Sequence, residues 1–584
     1  MNGGLYRSSH AAPDGQPPVE EGVTVVSVDA DIPGGDQALP AEQVPAGNQD
    51  RSTTGQSAIM AIGSLVSRVI GFVRNVLIGM ALGKAVGDAY TSAQFLPGQI
   101  YELLLGGILS SVLIPLLVRR RKADPDGGQE FTQKLLTFAV TVLGVATLLV
   151  VAAAPVITMI QVGDSGPEAY RDLVTSFAYL ILPIIFFTGL SAMAGAVLNV
   201  RGHFAAPMWA PILNNFVVIA TCGVFLGVYG TDPLLSAETV TPAQIALIGG
   251  GTLLGMIVQA AGLLPALRKV GFRWKWRWDP RSLGMREIAG LGGWMLCYVA
   301  ANQVAVFAVA RILNGVGGQD SASTLAFNNV FLLTMMAHGI IGVSIMTALL
   351  PKMSAAAAEG RYAEVSADLN RGIKLTCAAL TPIAVLYAVL GTPIAVFLFQ
   401  GGNYSQDAAL DTGTVLTVAA FAVLPLSVSY LCTYAFYSLQ GNKTVALINL
   451  PVVAVRIAAY FLLAEMLDKS FVAAGMTAAN AVSYLVSAVI SLAVLRRRIG
   501  RLNLGTVAVS MVKVAVAAGI AAALGLLVLR LLPGTGQPDG KIEALVQLLV
   551  GGAVIMLAYL GAALALRVQE ISQVVGMVRR KLGR

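Results

Sequence analysis

SAIMAIGSLVSRVIGFVRNVLIGMAL (57–82) is the stretch from which the rest of the chain is read. It is long enough to cross a bilayer, for which about 20 apolar residues suffice at roughly 1.5 Å of rise each. Yet Arg68 and Arg74 lie in its interior. A charge at the centre of a membrane helix costs roughly 2.5–3.5 kcal/mol on insertion scales, so such residues usually face protein or a water-filled cavity. Ser64, Arg68, Gly71 and Asn75 fall at i, i+4, i+7 and i+11, a polar stripe on an apolar helix. Ser67 and Arg74 continue a second, adjacent line. Guanidiniums lining a cavity suit an anionic substrate, because the planar fork matches phosphate bidentately. The plainer reading is that Arg68 satisfies backbone carbonyls and Arg74 snorkels toward a headgroup. Helix physics alone leaves both open.

The composition fixes the class. Of 584 residues, 56% are hydrophobic and only 12% charged, which is a polytopic membrane protein and not a soluble domain. Cys222, Cys297, Cys377 and Cys432 are scattered through apolar segments without paired spacing, so they read as small buried hydrophobes. His10, His203 and His338 form no ligand cluster, and His338 reads as a packing residue in a membrane segment. No phosphate loop, zinc motif or nucleophile elbow stands in a credible context, so neither metal, cofactor nor enzymatic turnover is expected.

Residues 1–56 hold two basic and eight acidic residues, a net −6, and the remaining 37 basic and 23 acidic residues give +14. The amino-terminal stretch lacks hydrophobic periodicity and reads as a disordered tail. Fourteen hydrophobic segments follow, near 57–82, 90–118, 132–160, 171–200, 205–229, 243–268, 286–313, 322–350, 370–398, 409–439, 443–465, 471–495, 505–532 and 542–567. Alternate connecting loops carry the cations: Arg119-Arg120-Arg121-Lys122, Arg201, RKVGFRWKWRWDPRS (268–282), Lys352 with Arg361, Lys443, Arg496-Arg497-Arg498 with Arg501, and Arg579-Arg580-Lys581-Arg584. The positive-inside rule then places both termini in the cytoplasm. Trp274, Trp276 and Trp278 alternate with Arg273, Lys275 and Arg277, a pattern suited to an interfacial anchor and poorly suited to nucleic acid.

Weak internal symmetry divides the chain. NVRGHFAAPMWAPILNN (199–215) has a counterpart in SLQGNKTVALINLPVV (438–453), and GGILSSVLIPLLVRRR (106–121) in HGIIGVSIMTALLPKM (338–353). The expected fold is therefore an all-α polytopic membrane protein of fourteen transmembrane helices, two six-helix lobes (57–268 and 286–495) plus an extra helix pair (505–567). A basic aromatic linker (269–285) joins the lobes, and a basic tail (568–584) ends the chain. Parallel lobes of this kind rock about a site at their interface.

The order of several motifs then narrows the reading. SRVIGFVRN (67–75), GDAY (87–90) and LPGQIYELLLGGILSSVLIPLL (96–117) closely resemble the amino-terminal signature of the MurJ (MviN) lipid II flippases. GAVLNVRGHFAAPMWAPILNN (195–215), GIIGVSIMTALLPKMS (339–354) and FYSLQGNKT (436–444) resemble further signatures of that family, so that the likeness covers about 57–567. The resemblance implies the fold of the multidrug/oligosaccharidyl-lipid/polysaccharide exporter superfamily, with a cationic cavity between lobes and a groove at helices 13 and 14 for a polyprenyl tail. It implies a bacterial plasma-membrane protein that moves lipid II, the undecaprenyl-diphosphate-linked peptidoglycan precursor, from inner to outer leaflet. Arg68 and Arg74 match the family's first-helix arginines, and Asp88 its aspartate at the start of the second helix.

Departures accompany the likeness. Where many members carry a basic pair, this chain has Tyr101 and Glu102, and the eighth-helix arginine and glutamate fall on Leu332 and Met335. The pattern resembles the actinobacterial branch, some of whose members append a cytoplasmic pseudokinase domain, an arm not expected here. Arg456, well inside an apolar segment, is expected to line the cavity in compensation, while Arg311 near a segment end is expected to snorkel. The expected substrate-binding set is Arg68, Arg74, Asn75, Asp88, Glu102 and Arg456, with Glu102 pairing with an arginine when the cavity is empty. Asp88 and Glu102 are candidates to couple protons, and Asn449 and Asn480 to ligate a cation. The expected partners are lipid II, membrane lipid and, through the acidic tail, other wall-synthesis proteins. Readings left open are a flippase for another polyprenyl-diphosphate glycan and a non-transporting scaffold for wall synthesis.

Overall fold

Proline, glycine and hydroxyl caps, set into long apolar runs, determine where each helix stops and starts. The computed structural model describes residues 50–102, 114–163, 167–232, 234–283, 285–316, 323–532 and 537–572. Helix α1 runs Asp50–Glu102, so residues 50–56, expected in the tail, are helical. Gly83 interrupts it at φ 67° and ψ −164°, a left-handed conformation open to glycine and costly to residues with a Cβ. The break falls where the sequence places a loop between two crossings. The expected second crossing is described as 84–102 and, in α2 (Ile114–Ala123), its end; residues 103–113 lie outside the described residues.

The following helices are α3 (Gln129–Ala152), α4 (Ala154–Val162), α5 (Glu168–Ile181), α6 (Ile184–Val200), α7 (Ala205–Tyr229), α8 (Pro242–Gly262) and α9 (Leu264–Lys269). Pro155 and Pro183 split two expected crossings into α3 with α4 and α5 with α6, since proline has no N–H to continue the ladder. Thr241 and Gln244 form a reciprocal capping box at the start of α8. The chain continues as α10 (Met285–Val316), α11 (Thr324–Ala337), a π-helical turn at His338–Gly342, and α12 (Val343–Ala358). It ends with α13 (Tyr362–Phe399), α14 (Gln406–Ser438), α15 (Asn442–Met466), α16 (Val472–Ile499), α17 (Leu504–Leu531) and α18 (Lys541–Ala565). Ser323 and Ser405 cap α11 and α14 through the N–H groups of Ala326 and Ala408. Among the described residues there is no β-strand, only an isolated bridge between Gly401 and Tyr404. Thirteen helices among them are long and apolar enough to cross a membrane, which makes the chain a multi-pass membrane protein.

Burial divides at the 270–283 segment. Two apolar clusters draw their buried residues from before it or from the segment itself, one around Tyr90, Phe177 and Phe225 and one around Phe131, Leu198 and Leu283. The other clusters draw theirs from after it, and α17 and α18 pack on α13 through Val389, Leu390 and Ile555.

In each half the basic loops meet at one end. Arg121 bonds the Val200 carbonyl, and Arg201 donates to Val270 O at 2.9 Å. In the second half Ser366 donates to Arg501 O at 3.3 Å and Arg498 to Thr444 at 3.4 Å. This is called the basic end below.

Candidate functional site

Helix α1 carries its two arginines six residues apart, which is about 120° of rotation at 100° per residue, so they cannot share one stripe. The contacts follow that geometry. Arg74 turns toward α7: its Nη1 donates to Asn215 Oδ1 at 3.1 Å, and Nε and Nη2 donate to Asn75 Oδ1 at 3.3 and 3.1 Å. Asn215 in turn donates from Nδ2 to Ser67 O at 3.3 Å, so one amide ties α7 to α1 and aims the guanidinium. Its Nδ2 lies over Gly71. Among the described residues all three acceptor contacts of Arg74 are neutral amide oxygens, so the positive charge is held in place without being cancelled by them, and two of its five N–H groups make no such contact.

Arg68 turns toward the second half. Its side chain is exposed, and among the described residues it makes no hydrogen bond or ion pair. Its guanidinium rests on Gly339 in the π-helical turn, where a Cβ would collide with it. Beside it, His338 Nδ1 pairs with Ser427 Oγ at 2.9 Å, the ring packs 4.8 Å from Tyr430, and Nε2 has no partner. A π-turn in an α-helix is uncommon and frequent at functional positions. Thus Arg68 alone of the pair stands against both halves of the chain, and the structure separates the two guanidiniums by direction. Asn75 contacts Arg74 through its Oδ1. The side chains of Tyr101 and Glu102 lie outside the described residues, as does the expected exchange between Glu102 and an arginine.

Asp88 belongs to a different assembly. Its Oδ1 accepts from Ser323 Oγ at 2.7 Å and from the Leu325 N–H at 2.8 Å, so a first-half carboxylate caps the first turn of α11. Asn314 Oδ1 gathers Ser92, Tyr170 and Thr324 hydroxyls at 2.7, 3.0 and 3.2 Å, again joining the halves. Asn403 donates from its backbone to Met80 O and from Nδ2 to Ala81 O, both at 2.7 Å, and accepts from the Asp232 N–H at 2.7 Å. The Asn403 carbonyl also lies where a Cβ on Gly83 would be, which leaves room for no other residue there. Lys84 and Asp411 pair at 2.9 Å, and Arg311 donates to Ile160 O at 3.1 Å near the end of α4, so it does not simply snorkel. All of these contacts sit at the end of the helices away from the basic loops. These contacts tie the two halves together at that end.

In the second half Arg456 donates from Nε to Ser483 at 2.9 Å and from Nη1 toward Asn302 at 3.5 Å, and lies 5.3 Å from the Tyr484 ring centroid. Tyr484 also lines a small pocket with Phe327, Phe331, Thr334, Met335 and Asn480. Arg456 therefore stands behind this wall and is not itself part of the lining. Asn480 accepts from Tyr460 at 2.6 Å and Asn449 donates to Tyr298 O at 3.3 Å. Among the described residues no group of three or more His, Cys, Asp or Glu is placed to hold a metal ion.

Sequence reading missed Asn215, Ser323, Asn314 and Asn403. The Asn214-Asn215 pair in an otherwise apolar helix was the available signal for the first, and the serine preceding α11 for the second.

The family model described as lipid II flippase MurJ matches residues 78–540. The protein named "Probable lipid II flippase MurJ" of Synechocystis sp. is 26% identical over 90% of this chain and 97% of its own length. Its namesake in Bdellovibrio bacteriovorus is 25% identical over the same shares. A solved lipid II flippase MurJ in an inward closed conformation superposes with TM-score 0.67 at 17% identity, covering 90% of this chain and all of that one. An inward-facing multidrug transporter of the MATE family in the MOP superfamily gives 0.61 at 14% identity, over 75% of this chain and 95% of the other. With the family model matched over most of its length, the chain belongs to the lipid II flippase MurJ family.

Proposed function

We propose that the chain moves lipid II, the polyprenyl-diphosphate-linked peptidoglycan precursor, from the inner to the outer leaflet by alternating access. One observation carries this: guanidiniums inside an apolar helix, without carboxylate partners among the described residues, stand beside a seam whose far end is bonded across the halves. A polar headgroup is too costly to drag through hydrocarbon and needs a hydrated path between the halves. Arg74, held by Asn75 and Asn215, presents N–H groups for one phosphate, and Arg68 presents its whole fork between α1 and the π-turn. The two arginines thus grip from different sides, in sequence or on different phosphoryl oxygens. Asp88, bound through Oδ1 to Ser323 and Leu325, acts as a latch and not as a substrate ligand.

The reading assigns 57–268 and 286–495 to two lobes that rock, and 505–567 to a helix pair alongside them that accommodates the lipid tail. It places the basic end, and with it both termini, in the cytoplasm of a bacterium. No bond is made or broken, so the protein works as a transporter without enzymatic turnover. The test is depletion of the native protein in a bacterium complemented by variants, with surface accessibility of lipid II as the readout. Arg68→Ala and Arg74→Ala are expected to reach the membrane yet fail to deliver lipid II to the outer leaflet. Normal delivery by both variants removes the phosphate grip. Normal delivery without any copy of the protein leaves the scaffold reading, and delivery of a different polyprenyl-diphosphate glycan changes the substrate.

A further inference from the structure

The segment between the halves is neither helix nor free loop. From Phe272 to Asp279 the chain has no regular secondary structure, lies against the start of α3 and is fastened along its length. Gln133 Nε2 donates to Arg273 O at 2.6 Å, Trp274 Nε1 to Thr137 Oγ1 at 3.3 Å, and the Arg277 N–H to the same hydroxyl at 3.1 Å. Arg277 pairs with Glu130 at 2.7 Å and Asp279 with Lys134 at 3.0 Å. Phe272 is buried beneath the Arg201 guanidinium, 5.3 Å from its ring.

Held this way, the segment displays what a soluble surface would hide. Trp274, Trp276 and Trp278 are 44%, 62% and 53% exposed, with the first two rings 5.9 Å apart. The Arg273 and Lys275 side chains beside them are exposed and make no hydrogen bond or ion pair among the described residues. Arg268, Lys269 and Arg281 are exposed on either side.

The depth of the segment identifies what it meets. Along α3, beyond Thr137 and Phe138, the outward side chains are Val142, Val145, Leu148 and Leu149, each 46–72% exposed, which is a face made for hydrocarbon. Trp278 packs on Phe138 at 6.0 Å, so the tryptophans begin about one helical turn before that face does. Indole rings prefer this headgroup level, and cations beside them there meet lipid phosphates.

We propose that residues 268–281 form a binding site for anionic phospholipid headgroups in the leaflet at the basic end. Tryptophans 274, 276 and 278 enter the acyl boundary, and Arg273 and Lys275 take the phosphates. Because the segment is tied to α3, the bound lipid holds the first half of the chain at fixed depth. This claim does not depend on the transported substrate.

The chain has five tryptophans, three of them in this segment, so a W209F/W294F variant reports the segment by fluorescence. The full-length variant is reconstituted in vesicles of phosphatidylcholine with phosphatidylglycerol, in which one or the other lipid carries brominated chains that quench indole. The expected result is severalfold stronger quenching by brominated phosphatidylglycerol, weakened by salt as screening requires. R273Q/K275Q in the same background is expected to lose the preference while both lipids still quench. Equal quenching by the two lipids in the unmutated segment overturns the proposal in favour of a plain aromatic belt. Absence of quenching overturns it in favour of a water-facing surface for a soluble partner. Abolition of the preference by millimolar inorganic phosphate overturns it in favour of a free-anion site. The lipid comparison stands in the unmutated segment even where R273Q/K275Q does not fold.

Discussion

Two polar regions lie along helix α1, and they are finished differently. Around Asp88 the polar groups reach across the halves: a carboxylate meets a hydroxyl and a helix N-terminal N–H, and Asn403 is bonded at three atoms. Around Arg68 and Arg74 the charge is positioned and left open, with amide oxygens steering one guanidinium and a bare glycine beneath the other. Contacts between the halves specify one arrangement of them, while unpaired charge inside an apolar helix is stable only if something else arrives. The difference separates a latch from a receiving site, although both read in sequence as isolated polar residues in hydrocarbon.

The strongest way to break that comparison is at the receiving site. A hydrogen bond to a charged group contributes about 1.5–3 kcal/mol, so Arg74→Ala or Arg68→Ala should lower lipid II delivery roughly 10- to 100-fold. Arg74→Lys should recover little, because the amide oxygens of Asn75 and Asn215 are spaced for a fork. Delivery in depleted cells is the measurement. Asn215→Ala should imitate Arg74→Ala more weakly, since it removes the aim and leaves the charge.

The latch should respond in the opposite sense. Asp88→Ala leaves Ser323 and the Leu325 N–H without their acceptor at a cost of about 1–3 kcal/mol, which favours opening of the end away from the basic loops. Cysteines placed at Lys84 and Asp411 should then cross-link several-fold less in Asp88→Ala than in the parent. Gly83→Ala should weaken the same seam, since its left-handed backbone alone costs roughly 1–2 kcal/mol and the Asn403 carbonyl blocks a Cβ. Undiminished cross-linking in both variants would mean that the closure rests on apolar packing.

The half-exposed Lys84–Asp411 pair should matter less than either, at most about 1 kcal/mol, with an effect that fades in high salt. The smallest effect concerns pH. Lys134 beside Asp279 holds that carboxyl below its usual value, which stabilises the fastened 272–279 segment above the ordinary carboxylate range. That contribution is lost only as pH falls through the lowered value. Tryptophan fluorescence of the segment should therefore stay constant from pH 9 to about pH 5 and change in stronger acid.

The helices were legible because hydrocarbon demands long apolar runs, and α7 begins and ends where the pattern places it. Breaks inside runs were less so. Proline splits at 155 and 183 could be read, whereas the π-turn at 338–342 has no local signature beyond its glycines. The arginines were legible as intramembrane charge on two adjacent lines of α1, but not which element each line faces. Asp88 was legible as a charge and illegible as a latch, because its partner N–H lies 237 residues away. Met335, where the family resemblance implies a glutamate, lines a pocket with Phe327, Phe331 and Thr334, so the carboxylate that the resemblance suggests is missing from that wall.

The seam around Gly83 and Asn403 is written largely in main chain: Met80 O and Ala81 O are supplied by any amino acid, and the Asp232 and Leu325 N–H groups by any but proline. A residue on one side can therefore mutate freely while its opposite number keeps the same bond. Covariation between homologous sequences would then be faint across this closure, although it is among the most densely bonded places in the molecule. Relatives that retain only about a quarter of the residues can inherit the gate intact.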